Sequence, residues 1–139
     1  MKVYENEVWK YFLSDEEPDY DQDRVGKWMF FYKGGSERKY LEERCIEAIS
    51  LGIVEEAKIA QNKIEGVACF YLESDDTVVH LAAIEFFLIN DMIQKTRTGK
   101  LYNISFKLDS QTRAGQYGKA FESGIKLEQF VDLETGEWV

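Results

Sequence analysis

Hydrophobic and polar positions along the chain mark its elements before any chemistry is considered. Val8–Leu13 reads as a short strand, and Lys27–Tyr32 (KWMFFY) has the aromatic density of a buried one. Gly34-Gly35-Ser36 then turns the chain into a helix. In that helix Leu41, Cys45, Ala48 and Ile49 fall on one apolar stripe at i, i+4, i+7 and i+8, while Glu42, Glu43 and Glu47 mark the wet side. Gly52 is placed to cap its C-terminus. Val54–Ala60 and Gly66–Leu72 read as two strands joined through polar Gln61–Glu65. Ser74, Asp75 and Asp76 offer N-caps for a second helix, Thr77–Ile93, which is apolar nearly all round and is therefore either deeply buried or turned to a partner. Leu101–Leu108 sets Tyr102, Ile104, Phe106 and Leu108 against Asn103, Ser105 and Lys107, the pattern of a half-buried strand in which Lys107 points away from Phe106. Ile125–Leu133 suits a strand or a short helix, Thr135-Gly136 a turn, and Trp138 a packing anchor.

The order strand, strand, helix, strand, strand, helix, strand predicts an α+β fold, an antiparallel sheet backed on one face by two or three helices. No repeat or linker interrupts it, so one domain over residues 1–139 is expected, and 139 residues suffice for a core without disulfide or metal staples. Cys45 and Cys69 form no CxxC pattern and no secretory leader precedes them, which predicts buried thiols in a cytoplasmic protein. No apolar run approaches the roughly 18 residues of a membrane span.

Net charge sharpens the picture. The chain carries −9, which disfavours DNA and other phosphate backbones. Six of its acids crowd into the nine residues Asp15–Asp23, a solvated loop around the only proline, Pro18. From Lys95 to Lys119 the balance inverts, with six basic residues against one acid. Lys107 closes the clearest strand, and Arg113 stands in a loop where Gly115 and Gly118 would let a ligand approach the backbone. Lys58 is a lone cation between Ala57 and Ile59. Lysine and arginine suit a phosphate or carboxylate, and the alternative is that these charges pair with the 26 acids or face solvent.

Other motifs exclude more than they assign. Asp19, Asp21 and Asp23 imitate a calcium loop, but Arg24 occupies its glycine position and Phe30 its final glutamate position. A single histidine, His80, rules out an imidazole-built zinc site, and no metal or cofactor is expected. His80 suits a satisfied core side chain and Trp28 a core aromatic, while Trp9 and Trp28 could otherwise sandwich a base. Neither a GxSxG elbow nor a complete phosphate loop is present, so Gly34-Gly35-Ser36 reads as a turn.

Several of these segments occur in an order that resembles the BLES03-like family, the domain of unknown function DUF1917. They are Gly26-Lys27-Trp28-Met29-Phe30-Phe31, a helix, Ala57-Lys58-Ile59, the apolar strand Val67–Tyr71, a second helix, Leu101-Tyr102, Phe106-Lys107-Leu108-Asp109 and Thr112-Arg113-Ala114-Gly115-Gln116-Tyr117. The resemblance implies a fold like that of the cap-binding translation initiation factor 4E, a curved antiparallel sheet with helices on its convex side. Cap binding itself is not carried over, since no pair of tryptophans with an acid on the base edge is placed for it. The resemblance also implies a phosphothreonine-lyase alternative, with Lys58 or Lys107 as base and Arg113 as phosphate clamp. The expectation is a domain binding a small phosphorylated or anionic ligand, a nucleotide or phosphopeptide, through Lys58, Lys107, Arg113 and Tyr117. A protein-interaction module, homodimeric through the apolar second helix, is the remaining alternative.

Overall fold

A computed structural model describes residues 1–110 and 124–139. Its sheet has seven strands, β1 (Lys2–Glu5), β2 (Trp9–Leu13), β3 (Val25–Lys33), β4 (Glu56–Ala60), β5 (Glu65–Glu73), β6 (Ser105–Leu108) and β7 (Ile125–Lys126). They lie in the order β1-β2-β4-β5-β3-β6-β7, and each pair of neighbours is antiparallel. Helix α1 (Gly35–Ser50) connects β3 to β4, and α2 (Thr77–Ile89) connects β5 to β6. The architecture is the expected α+β arrangement, a curved antiparallel sheet with helices α1 and α2.

Alternation along the strands separates the two faces of the sheet. Trp28, Phe30 and Tyr32 of β3, Ala68, Phe70 and Leu72 of β5, and Phe106 of β6 join Cys45 and Ala48 of α1 and Ile84 and Phe87 of α2 in one buried cluster. Phe87 docks edge-on against Phe30 and Phe70, with ring centroids 4.7 and 5.3 Å away. Both helices thus cover the same face. Arg38 of α1 is buried with them, its Nε donating to the Ala60 carbonyl (3.0 Å) and its Nη1 to Glu42 (2.9 Å), while Lys10 of β2 meets Glu42 at 2.6 Å.

Local signals set the helix ends. Gly52, at φ 72°, follows α1, and the bonds Gly52 N–H to Ile49 and Ile53 N–H to Ala48 close a Schellman motif. Asp76 caps α2 by accepting from the Val79 N–H. That helix stops at Ile89 rather than Ile93, because Asn90 folds its amide back onto the Phe86 carbonyl and Asp91 adopts φ 55°. Only Val78, Leu81 and Ile89 of α2 are exposed large apolar residues, so burial accounts for most of its apolar composition. No helix among the described residues is long and apolar enough to cross a membrane.

Two further expectations are corrected, and one strand is added. Strand β1 has no buried residue and therefore no alternation to reveal it. β6 begins at Ser105, not Leu101, because Leu101 bridges Lys95 and donates to the Leu133 carbonyl, leaving Tyr102 exposed. Trp138 pairs with Val131 by backbone but leaves its ring half-exposed, so it is no deep anchor. The Ile125–Leu133 segment holds both forms foreseen for it, β7 and the 3-10 turn Leu127–Gln129.

Gly26 lets β6 close on β3. A Cβ there would lie 2.6 Å from the Lys107 carbonyl oxygen and 2.6 Å from the Phe106 ring. Gly26→Ala is therefore expected to cost about 1–3 kcal/mol, as overpacked interiors do, and to lower the urea midpoint. An unchanged midpoint would show that β6 is not held this tightly.

Candidate functional site

Helices α1 and α2 both lie on one face of the sheet, and strand register dictates what stands on the other. Cross-strand partners share a face, so Glu56, Tyr71, Lys27 and Lys107 form one row across β4, β5, β3 and β6. The neighbouring row is Tyr11, Lys58, Cys69 and Met29. Lys58 and Lys107 thus point to one side of the sheet, with Lys27 between them. The Lys58 and Lys27 backbones are two strand spacings of about 4.8 Å and one row apart, within joint reach of two lysine side chains. Arg113 and Tyr117 lie outside the described residues.

Lys27 is the residue that the chain's pattern conceals. It sits in an aromatic run, yet its odd position in β3 turns it away from the core; it is 8% exposed and its Nζ meets Asp109 Oδ1 at 2.6 Å. Lys107 is 7% exposed, and burial followed by the nearby Lys27 charge lowers its pKa. Lys58 is different. Its ammonium makes no hydrogen bond or ion pair with any described residue and instead lies 3.8 Å from the Trp9 ring centroid, with Tyr11 and Tyr71 at 5.8 and 5.7 Å. Burial pushes its pKa down, Lys27 adds to that, and Asp109 and Glu56 oppose it.

The surrounding groups are also desolvated. Burial first, then the Asp109 charge, raises the Glu56 carboxyl, which has no hydrogen bond or ion pair among the described residues. Tyr20 reaches in from the acidic loop to pack on Val25, Cys69 and Tyr71, and its hydroxyl is buried without a hydrogen-bond partner. Burial pushes the Cys69 thiol up to about 11, against the pull of Lys58 and Lys27, so it is a neutral packing group at pH 7. An ammonium, a carboxyl and a phenol therefore share one face without ion pairs or hydrogen bonds to one another or to other described residues, and the phenol is buried in that state.

Trp9 belongs to this face, whereas Trp28 is wholly buried on the other. No base can be sandwiched between them. The Trp28 indole N–H donates to His80 Nδ1 (3.1 Å), which fixes the His80 proton on Nε2, and that N–H donates to the Ser74 carbonyl (3.0 Å). His80 is 2% exposed with both ring nitrogens occupied, and burial lowers its pKa despite the Ser74 bond. It is a core side chain on the far side of the sheet from the lysines. Arg24, in the glycine position of the imitation calcium loop, pairs with Asp21 (3.3 Å), Glu73 (3.3 Å) and Asp75 (3.5 Å). Gly34, at φ 88°, serves as the turn before α1 and donates its N–H to Ile64.

Neither a protein-family model nor a curated protein matches this chain.

Proposed function

We propose that the sheet face opposite α1 and α2 binds a small anionic ligand, a phosphate-bearing one such as a nucleotide or phosphopeptide, with Lys58 as its principal contact. The observation that carries this reading is the Lys58 ammonium, partly withdrawn from water and without an ion pair among the described residues, in a protein of net charge −9. A partly desolvated cation without an ion pair is costly, and a phosphate oxygen would offset that cost. Lys27 and Lys107 supply further positive charge, and the rings of Trp9, Tyr11 and Tyr71 give a flat apolar surface against which a base or aromatic side chain can lie. The sequence reading adds Arg113 and Tyr117 to the same ligand set.

Thermal melting of the full chain tests this with pyrophosphate, AMP and a phosphothreonine peptide, each up to 5 mM. At least one should raise Tm, as any ligand selective for the folded state must, while equal ionic strength of chloride should not. No shift with any of the three contradicts the reading. The same peptide serves the lyase alternative, favoured by the lowered Lys58 pKa that a general base requires: phosphate release lost in Lys58→Ala would establish it. His80 has no free nitrogen to act as its acid.

A further inference from the structure

Strand β3 spans nine residues, yet β6 pairs with it only over Gly26–Trp28. The Gly34 N–H donates to Ile64 and the Ser74 N–H to the Arg24 carbonyl, so the even-numbered residues of β3 direct their backbone groups toward β5. Odd-numbered residues direct theirs to the opposite edge, where β6 ends and the chain turns away at Ile104. There the Lys33 N–H reaches Glu37 Oε1 at 3.4 Å, and the Phe31 N–H and C=O have no hydrogen-bond partner among the described residues.

This notch is shaped to take side chains as well as backbone. Phe31 is 68% exposed, and it lines three adjoining clefts together with Gln94. One, of 660 Å³, reaches Lys33, Glu37 and Glu65. Another, of 310 Å³, is floored by Tyr40, Leu41 and Met92 and edged by Asp91. The third, of 200 Å³, runs toward Tyr102 and Ile104. Three acids, Glu37, Glu65 and Asp91, thus stand around the notch against one base, Lys33.

We propose that the Met29–Lys33 edge binds an extended segment of a partner protein, which adds to β3 as a further strand and alternates apolar with basic residues. Backbone pairing answers the open Phe31 groups. Successive side chains of an added strand point to opposite faces, so one set covers Phe31 and the other enters the cleft beside Leu41 and Met92. Lysine or arginine at the ends complements the acidic rim. A second copy of this chain fits poorly, because symmetric pairing of two notches would bring Glu37, Glu65 and Asp91 against their own counterparts.

Selection of a displayed random dodecapeptide library on the full chain, followed by calorimetric titration of the enriched peptide, tests the proposal. Enriched peptides should alternate apolar and Lys/Arg residues, and binding should slow hydrogen exchange at the Phe31 amide. Phe31→Pro removes the outward donor without costing a β5 bond and should weaken binding at least tenfold. Phe31→Ser, which alters only an exposed side chain, should also weaken binding and guards against a folding defect in the proline variant. Failure to enrich alternating peptides, or equal affinity in both variants, overturns the proposal. A wild-type dimer in sedimentation that Phe31→Pro dissociates overturns it as well, by assigning the notch to a second copy. None of these outcomes depends on the lysine face.

Discussion

Trp28→Ala is expected to lower the unfolding free energy by about 3–5 kcal/mol, the range for deleting a fully buried aromatic. Native domains hold only about 5–15 kcal/mol in total, so this variant should populate unfolded chains at room temperature or lose its cooperative urea transition. Two losses combine. The indole fills the space between Phe106, His80 and Phe130, at centroid distances of 5.6, 5.8 and 6.3 Å, and no neighbour can collapse into so large a cavity. It is also the sole donor to His80 Nδ1, which would be left buried and unpaired.

The same contact carries a pH signature. His80 has its folded pKa below the unfolded value of about 6.5, so the unfolded chain binds more protons below that pH, and stability falls as pH drops through and beneath it. His80→Gln keeps an acceptor for Trp28 and a donor for Ser74 but cannot titrate. Urea titrations at pH 7.5 and 5.5 should show wild type losing more stability than His80→Gln over that interval. Equal losses would mean that His80 becomes charged in the folded state without penalty.

Lys58→Met is expected to separate stability from binding. The folded environment lowers the Lys58 pKa, so the charge is less favourable in the folded than in the unfolded chain, and removing it should leave Tm unchanged or raise it. Methionine matches the stem of lysine, and its thioether packs well on the Trp9 ring. Ligand binding should weaken ten- to a hundredfold, the worth of a charged hydrogen bond of about 1.5–3 kcal/mol. A Lys58→Met protein that melts several degrees lower would instead identify the lysine–Trp9 contact as a structural prop. Retention of the full ligand-induced Tm shift would remove Lys58 from the site.

Much of this architecture is written in the pattern of the chain, and its omissions have physical causes. The stripe of α1 could be read because one side of that helix is buried and the other wet, and β3 and β5 because burial on both faces of much of each strand gives a short apolar or aromatic run. β1 escaped because an edge strand exposed on both faces has no such contrast. The end of α2 escaped because Met92 and Ile93 are buried, which prolongs the apolar run past the backbone break at Asp91. In the candidate site, Lys58 and Lys107 stood out as cations in strands, and their common face followed from pairing that only the fold reveals. Lys27 and Trp9 were hidden by their company. A lysine within KWMFFY reads as the start of a core strand, and only its parity relative to Trp28, Phe30 and Tyr32 shows that it faces away from them. Parity was the usable signal, since Lys27, Met29 and Phe31 form the less buried half of the strand.

The central claim is that Lys58, Lys27 and Lys107 meet one anion on the sheet face opposite α1 and α2. Its most direct test is an NMR titration of the 13Cε-labelled lysines with pyrophosphate, assigned through single Lys→Met variants. We predict that the Lys58 and Lys107 resonances move together with one midpoint while the exposed Lys33 and Lys39 signals shift only with ionic strength. Lys58 and Lys107 signals that stay fixed, or that move with separate midpoints no different from the surface lysines, would contradict the account.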